Sequence, residues 1–444
     1  MHRRIDELLA DRDRPSSPGA SVAVAQDGEV VYAKGFGSAN VEYGVDIAPS
    51  TVFDIASVSK QFGAYAIAIL EDEGRLDLDD DYRDRLPDMP DFGPTITLRH
   101  LLHHTSGIRD WVQAMVMAGV RMDDTILFED ILRFARRQRD LNFAPGAEHL
   151  YSNTGYNLLA ATVARVSRMS FRQFTHERIF APLGMTSTHF HDDHREVIPG
   201  RAAAYEPDAD GAPRNATNNL TALGSSSLHS TADDLARWAV NLETRAVGPG
   251  AALARLNERG ATMPGGDSTY GFGQVTDEYR GRPMLHHSGS WRGFRSHLLR
   301  FPEDRFAVVV LSNVSTFHAG PVARQIADVC LVDQLGPPPP AREAPAGEPH
   351  DPIAAPSAAA LARYAGRYHS VELDTTYTVA VGDEGLFASH ARHSDMPLVW
   401  AGDDAFTGDP AFFGRAQFTR DGGDADSFLL SVDRVRNVRF LLRT

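Results

Sequence analysis

Two kinds of hydrophobic pattern divide this chain. Over residues 3–12 apolar and charged positions interleave at helical spacing, which predicts a short amphipathic helix. The run Ala20-Ser-Val-Ala-Val-Ala-Gln-Asp-Gly-Glu-Val-Val-Tyr-Ala reads as two apolar strands around Asp27-Gly28, a dipeptide suited to hairpin turns. From Ser57 the apolar residues Val58, Phe62, Tyr65, Ala66, Ile69 and Leu70 recur near helical spacing, and Gly74 marks the stop. The pattern stays helix-rich to about residue 245. Ser296-His-Leu-Leu-Arg-Phe and Phe306-Ala-Val-Val-Val-Leu then read as strands around Pro302-Glu-Asp, with a helix near 318–334. Strands at both ends and helices between them predict one sheet assembled from the two termini of this region, carrying a helical insertion.

The second pattern begins after Gly336-Pro-Pro-Pro-Pro340, which opens a Pro/Ala-rich stretch to residue 356 with the character of a semi-rigid linker. Beyond it come short alternating runs: Thr376-Tyr-Thr-Val-Ala-Val, Leu386-Phe, Ala416-Gln-Phe-Thr, Ser427-Phe-Leu-Leu-Ser-Val and Val438-Arg-Phe-Leu-Leu. They predict a small all-β antiparallel barrel, which leaves no open edge. The expected organisation is therefore a domain over 1–335, a linker over 336–356 and a barrel over 357–444, in keeping with a chain too long for one ordinary core.

Composition narrows the function. At 42% hydrophobic and 23% charged residues the chain is of the soluble globular type. A formal charge of −15 argues against nucleic acid and against anionic membrane surfaces as partners. The single cysteine, Cys330, excludes an intramolecular disulfide framework. The first residues carry charge without an apolar signal region, and no run approaches a membrane span, so a cytoplasmic location is expected. A homo-oligomer is left open.

Candidate chemistry enters with the lysines. Lys34 and Lys60 are the only two, and Lys60 lies three residues after Ser57. Arginine cannot lose its proton in a protein, whereas a desolvated lysine can. Ser57-x-x-Lys60 therefore reads as a nucleophile with its proton acceptor at the first turn of a buried helix. Free N–H groups there favour an oxyanion, while burial and the positive helix end disfavour the ammonium. Tyr151-Ser152-Asn153 opens another apolar helix. A tyrosine beside a lysine can relay a proton, and an asparagine offers both a donor and an acceptor. In His286-His287-Ser288-Gly289-Ser290-Trp291, Gly289 would let a substrate backbone approach and the Ser290 N–H could be a second oxyanion donor.

Taken together, these motifs resemble the serine β-lactamase and penicillin-binding protein superfamily, on the class C-like branch that includes D-aminopeptidases and esterases. Ser57-x-x-Lys60 matches the first element, Tyr151-x-Asn153 the second and His287-Ser-Gly289 the third. Leu101-Leu-His-His-Thr-Ser-Gly107, Pro182-Leu-Gly-Met185 and Ser230-Thr-Ala-Asp-Asp-Leu235 are similar as well, and the tail resembles an appended lipocalin-like domain. The resemblance implies an α+β fold, an α/β sandwich with an antiparallel sheet and a helical insertion. It implies an acyl-enzyme on Ser57, proton transfer by Lys60 and Tyr151, oxyanion binding by the Ser57 and Ser290 N–H groups, and neither metal nor organic cofactor. The substrate would be a small molecule or short peptide, as an amide or ester. Acyl transfer or peptide cyclisation, β-lactam hydrolysis and a non-catalytic sensor are the alternatives. One departure matters: β-lactamases usually carry lysine where this chain has His287, largely neutral near pH 7, which favours the aminopeptidase and esterase branches.

Four other stretches are weighed against this reading. His189-Phe-His191-Asp-Asp193-His194 matches an H-x-H-x-D-H pattern of zinc-dependent hydrolases, but is expected to be a solvated polar loop without metal. His103-His104 is expected to support structure, and Arg133 to Arg139 to form an amphipathic surface helix. Asn215-Ala-Thr217 is a glycosylation sequon, meaningless without secretion.

Overall fold

A computed structural model describes residues 1–258, 269–338, 356–420 and 423–443. The hairpin forms where the Asp-Gly pair predicts it. Asp27 (φ 53°) and Gly28 (φ 83°) both adopt positive φ, the two-residue turn whose twist suits flanking strands. The strand Ala20–Gln26 then pairs on its other side with Phe306–Ser312, in the register Ala20 to Ser312 and Gln26 to Phe306. The result is a six-stranded antiparallel sheet in the order Val275–Tyr279, Arg282–Trp291, Phe294–Phe301, Phe306–Ser312, Ala20–Gln26, Glu29–Phe36. Both ends of the region thus build one sheet. The helices His2–Leu9 and Ala319–Cys330 cover one face through Ile5, Val22, Val24, Val308 and Ile326.

The helical insertion lies against the other face. Lys60–Asp72 is buried continuously from Lys60 to Leu70, as expected of a helix apolar on all sides. Phe62 packs its ring on Trp238 at 4.7 Å. A second sheet of three short strands, Phe53–Asp54, Leu228–Ser230 and His189–Phe190, leads directly into the Ser57 turn. Ser57 itself sits in a 3-10 turn, Ala56–Ser59, and the α-helix starts only at Lys60.

Eight strands from Gly366–Ser370 to Val435–Leu442 close a barrel, the first pairing with the last through Tyr368 and Leu442. Of these, Gly366–Ser370, His393–Trp400 and Ala405–Thr407 are not apparent in the sequence pattern. Pro397 in His393–Trp400 removes a ladder donor and masks the strand, although Met396 and Leu398 still alternate inward. Residues 339–355 of the predicted linker lie outside the described residues.

The barrel shares a core with the rest of the chain: Trp111, Ala114, Met117, Ile131 and Phe134 join Tyr368, Phe428 and Val435 in one cluster. Arg109 (0% exposed) donates to both carboxylate oxygens of Glu372, at 2.6 and 2.7 Å, and to the Arg436 carbonyl at 2.9 Å. Arg133 to Arg137 lie on an amphipathic helix with Arg133 exposed, as expected. That helix, Phe128–Arg137, meets the barrel where Arg137 donates to the Val371 carbonyl at 3.1 Å. The expected solvated loop at His189–His194 is corrected. His189 lies in a strand and His191 is 2% exposed, because the short sheet carries them inward. No helix among the described residues is long and apolar enough to cross a membrane.

Candidate active site

The turn holding Ser57 is fixed from below. Asp54 Oδ1 accepts the Ala56 N–H at 2.8 Å, and Ala56 is held at a φ of 46°. The Ile55 N–H bonds the Leu228 carbonyl at 2.9 Å, tying the turn to the short sheet. With the Ala56 N–H taken by Asp54 and the Val58 N–H by the Ile55 carbonyl, the Ser57 N–H is the remaining donor at this helix start.

Lys60 is fully buried, and its Nζ has three partners: Ser57 Oγ at 3.1 Å, Asn153 Oδ1 at 2.8 Å and the Ser225 carbonyl at 2.8 Å. Burial holds its pKa well below the ordinary lysine value; Asp110 opposes this and the Arg434 guanidinium adds to it. A neutral amine has two N–H groups and one lone pair. Asn153 Oδ1 and the Ser225 carbonyl can only accept, so they take both N–H groups and leave the lone pair facing the Ser57 hydroxyl. The orientation of the Asn153 amide is set independently. Its Nδ2 donates to Asp110 Oδ2 at 2.7 Å, and the same oxygen takes the Asn153 N–H at 2.9 Å.

Tyr151 has its phenol within hydrogen-bond reach of Ser57 and its ring under Lys60 Nζ, 4.8 Å from the centroid. Burial raises its pKa, so the phenol keeps its proton. His104 packs its ring on Tyr151 at 4.3 Å and accepts the Ser152 N–H at Nδ1, 3.1 Å, which orients the second motif. His103 bonds the Tyr270 carbonyl at 3.1 Å, a structural contact of the expected kind.

His287 is 5% exposed and neutral, its pKa pushed down to about 3 by burial first and by Lys60 second. Its tautomer follows from its partners. Nδ1 lies 2.7 Å from the Ser288 carbonyl, which only accepts, so Nδ1 carries the proton. Nε2 then accepts the Tyr270 hydroxyl at 2.9 Å. At Gly289 a Cβ would lie 2.2 Å from the Ile55 carbonyl oxygen and 2.1 Å from Ser296 Oγ. The glycine admits the backbone that precedes Ser57, and the Ser296 hydroxyl bonds that same carbonyl at 2.6 Å.

Ser57, Tyr151, Asn153, His287, Gly289 and Ser290 line one cleft of about 530 Å³, with Lys60 behind them. Sequence reasoning misses four participants. Asp110 and Ser225 orient Lys60 and Asn153, and Tyr270 fixes His287; none stands in a recognisable motif. The fourth, Arg434, comes from the turn between the last two barrel strands and sets its guanidinium 5.0 Å above the Tyr151 ring. It is the only charged side chain among the described residues that line the cleft.

A model of the Beta-lactamase family matches residues 2–331. The chain is 31% identical over 296 residues to a D-aminopeptidase of Gluconobacter oxydans, covering 67% of this chain and 56% of that protein. It thus spans about half the length of that relative. An octameric penicillin-binding protein homologue from Pyrococcus abyssi superposes with a TM-score of 0.66 at 25% identity, over 99% of this chain and 98% of its own. A D-amino acid amidase from Ochrobactrum anthropi, solved with L-phenylalanine amide, has a TM-score of 0.63 at 24% identity over 75% of this chain and 98% of its own, a likeness of fold. With three quarters of its length matched by the family model, this chain belongs to the Beta-lactamase family.

Proposed function

We propose that the protein hydrolyses short amides, in the manner of the D-aminopeptidases it is similar to, through an acyl-enzyme on Ser57. Burial drives Lys60 and Tyr151 to their neutral forms, and those forms have opposite uses: a neutral amine accepts a proton and a neutral phenol gives one. Ser57 Oγ attacks the carbonyl carbon as its proton passes to Lys60 Nζ, and the C=O electron pair moves onto oxygen. The Ser57 and Ser290 N–H groups receive that oxyanion. The C–N bond then breaks. The leaving amine takes the Tyr151 proton, and Lys60 returns its own to the phenolate. Water reverses the sequence to release the acid.

The observation that carries the substrate class is the charge pattern of the cleft. His287 is neutral where a β-lactamase-like site would hold a cation on that strand, and the guanidinium present is Arg434, from the barrel turn. A carboxylate on a short peptide substrate would find a cation in Arg434 and none at His287. Assay against a D-alanyl peptide, a D-alanyl anilide, p-nitrophenyl acetate and nitrocefin tests this. Turnover of the D-alanyl substrates at least about 100-fold above nitrocefin in kcat/KM is expected; the reverse order refutes the proposal. Ester hydrolysis is the second reading, because no carboxylate lines the cleft among the described residues to receive the ammonium of an aminoacyl substrate.

A further inference from the structure

Behind the nucleophile turn, outside the cleft, three histidines and a glutamate converge. His189 and His229 stand opposite one another in the short sheet, and His191 follows one residue beyond the edge strand. The ring of His229 lies 4.8 Å from that of His191 and 6.0 Å from that of His189. One donor atom from each of His189, His191 and Glu196 falls within 4.8 Å of the others, and His191 Nδ1 is 3.7 Å from Glu196 Oε2. His191 and His229 are 2% and 0% exposed, yet both nitrogens of each ring and Nε2 of His189 are buried without a hydrogen-bond partner. The backbone of Ser227 sits beside His229 without reaching hydrogen-bond geometry. Buried ring nitrogens normally find partners, so this many orphans in one place need an explanation.

We propose that these residues form a site for a divalent transition-metal ion, zinc by preference, with His189, His191 and Glu196 as ligands and His229 as candidate fourth donor. Two or three imidazoles and one carboxylate are a donor set that suits zinc. Bonds of about 2.0–2.2 Å place tetrahedral donors about 3.4 Å apart. The His191–Glu196 pair is close to that already, and ring rotation closes the rest. Arg172 grips Glu196 with two hydrogen bonds, at 2.6 and 2.8 Å, and also holds Asp192 at 2.8 Å. Those bonds orient the carboxylate and leave each oxygen a lone pair for the ion. Arg172 and Arg201 are the positive charges facing the site; Glu196 and Asp192 oppose them. The ligand set is not the H-x-H-x-D-H of the sequence. Asp193 is engaged by Arg195 Nε at 2.9 Å, and Glu196 takes its place.

The position gives the ion a structural role. The strand that carries His229 also supplies the Leu228 carbonyl to the Ile55 N–H, and the loop before it supplies the Ser225 carbonyl to Lys60. A metal at this point would clip the edge strand to the strand that steadies the nucleophile turn.

Chelator-treated full-length protein titrated with CoCl2 and with ZnCl2 provides the test. One equivalent of cobalt per chain is expected, with the visible bands of a four-coordinate ion, displaced by zinc. Zinc at about 100 times its Kd should raise the melting midpoint by about 3 °C. His191→Asn and Glu196→Gln should each lose the cobalt spectrum and the shift, while still labelling with a fluorophosphonate probe at Ser57. Anomalous scattering at the zinc edge from the unaltered protein is independent of how the variants fold, and should place the ion between His189, His191 and Glu196. Less than a tenth of an equivalent bound, a spectrum unchanged in both variants, or an ion found elsewhere overturns the proposal.

Discussion

Replacing Arg434 by methionine isolates what the barrel contributes to the chemistry. The turn should survive, because it is held through its backbone: the Arg434 N–H donates to Gln113 Oε1 at 2.5 Å, and its carbonyl accepts from Asn142 Nδ2 at 2.9 Å. Lys60 Nζ and Arg434 Cζ lie 4.8 and 5.0 Å from the Tyr151 ring centroid, so the charges are about 10 Å apart at most. At an effective dielectric of about 20, that separation corresponds to about 1.7 kcal/mol of repulsion. The Arg434 side chain is 37% exposed, and solvent screening removes about half of this. About 0.8 kcal/mol remains, roughly 0.6 of a pKa unit on Lys60. The sign is fixed. The guanidinium disfavours the ammonium, so its loss raises the Lys60 pKa and protonates the base at higher pH. The acid limb of kcat/KM should therefore move up by about 0.6 unit in Arg434→Met, with about a 4-fold loss on the limb and a smaller change on the plateau. A neutral p-nitrophenyl ester, followed from about pH 5 to about pH 9, keeps substrate charge out of the comparison. High salt should move the limb of the unaltered protein the same way. A limb that stays in place, or moves down, refutes the coupling.

Other outcomes follow from the same geometry. Lys60→Met removes the proton acceptor and should lower the rate of Ser57 labelling by a fluorophosphonate about 10²–10⁴-fold; near-normal labelling would make Tyr151 the base. Gly289→Ala places a Cβ against the Ile55 carbonyl and should cut kcat more than tenfold while lowering the melting midpoint. Unchanged kcat would show that the cleft wall yields. Arg109→Met should destabilise the protein by about 3–5 kcal/mol by leaving Glu372 buried without its partner. Arg109→Met with Glu372→Met should be milder than the single change, read from denaturant midpoints.

Much of the fold is legible in the chain because local rules and tertiary needs agree. Asp27-Gly28 demands positive φ and the hairpin uses it. The run from Val58 to Leu70 is apolar on every side, and the helix is buried on every side. Where the two levels part, the pattern is silent or misleading. Pro397 looks like a strand breaker but sits opposite Phe387 in a ladder that tolerates the missing donor. The histidines at 189 and 191 sit in a polar stretch, but their burial is decided by a strand near residue 228, far along the chain. Among the site residues, Ser57, Lys60, Tyr151, Asn153 and His287 are readable because lysine is so rare here and each motif opens a patterned segment. Asp110, Ser225, Tyr270 and Arg434 act through contacts between distant segments, which no spacing encodes.

Arg434 shows why that last class matters. The neutral third motif leaves its strand without a cation at the cleft, and His287 cannot supply one, since burial holds its imidazole neutral. A guanidinium held by the barrel avoids this cost, standing 5.0 Å from the Tyr151 ring centroid and 37% exposed. Its cost is mechanical: the barrel has to be docked accurately for the charge to act at all. Arg109 and Asp110 are adjacent in the chain; one grips Glu372 and the Arg436 carbonyl while the other orients Asn153. The joint that positions the barrel and the joint that positions the Asn153 amide are therefore the same turn of backbone. Loosening either should disturb both, so stability of the barrel contact and the pH dependence of Lys60 ought to vary together across substitutions at this seam.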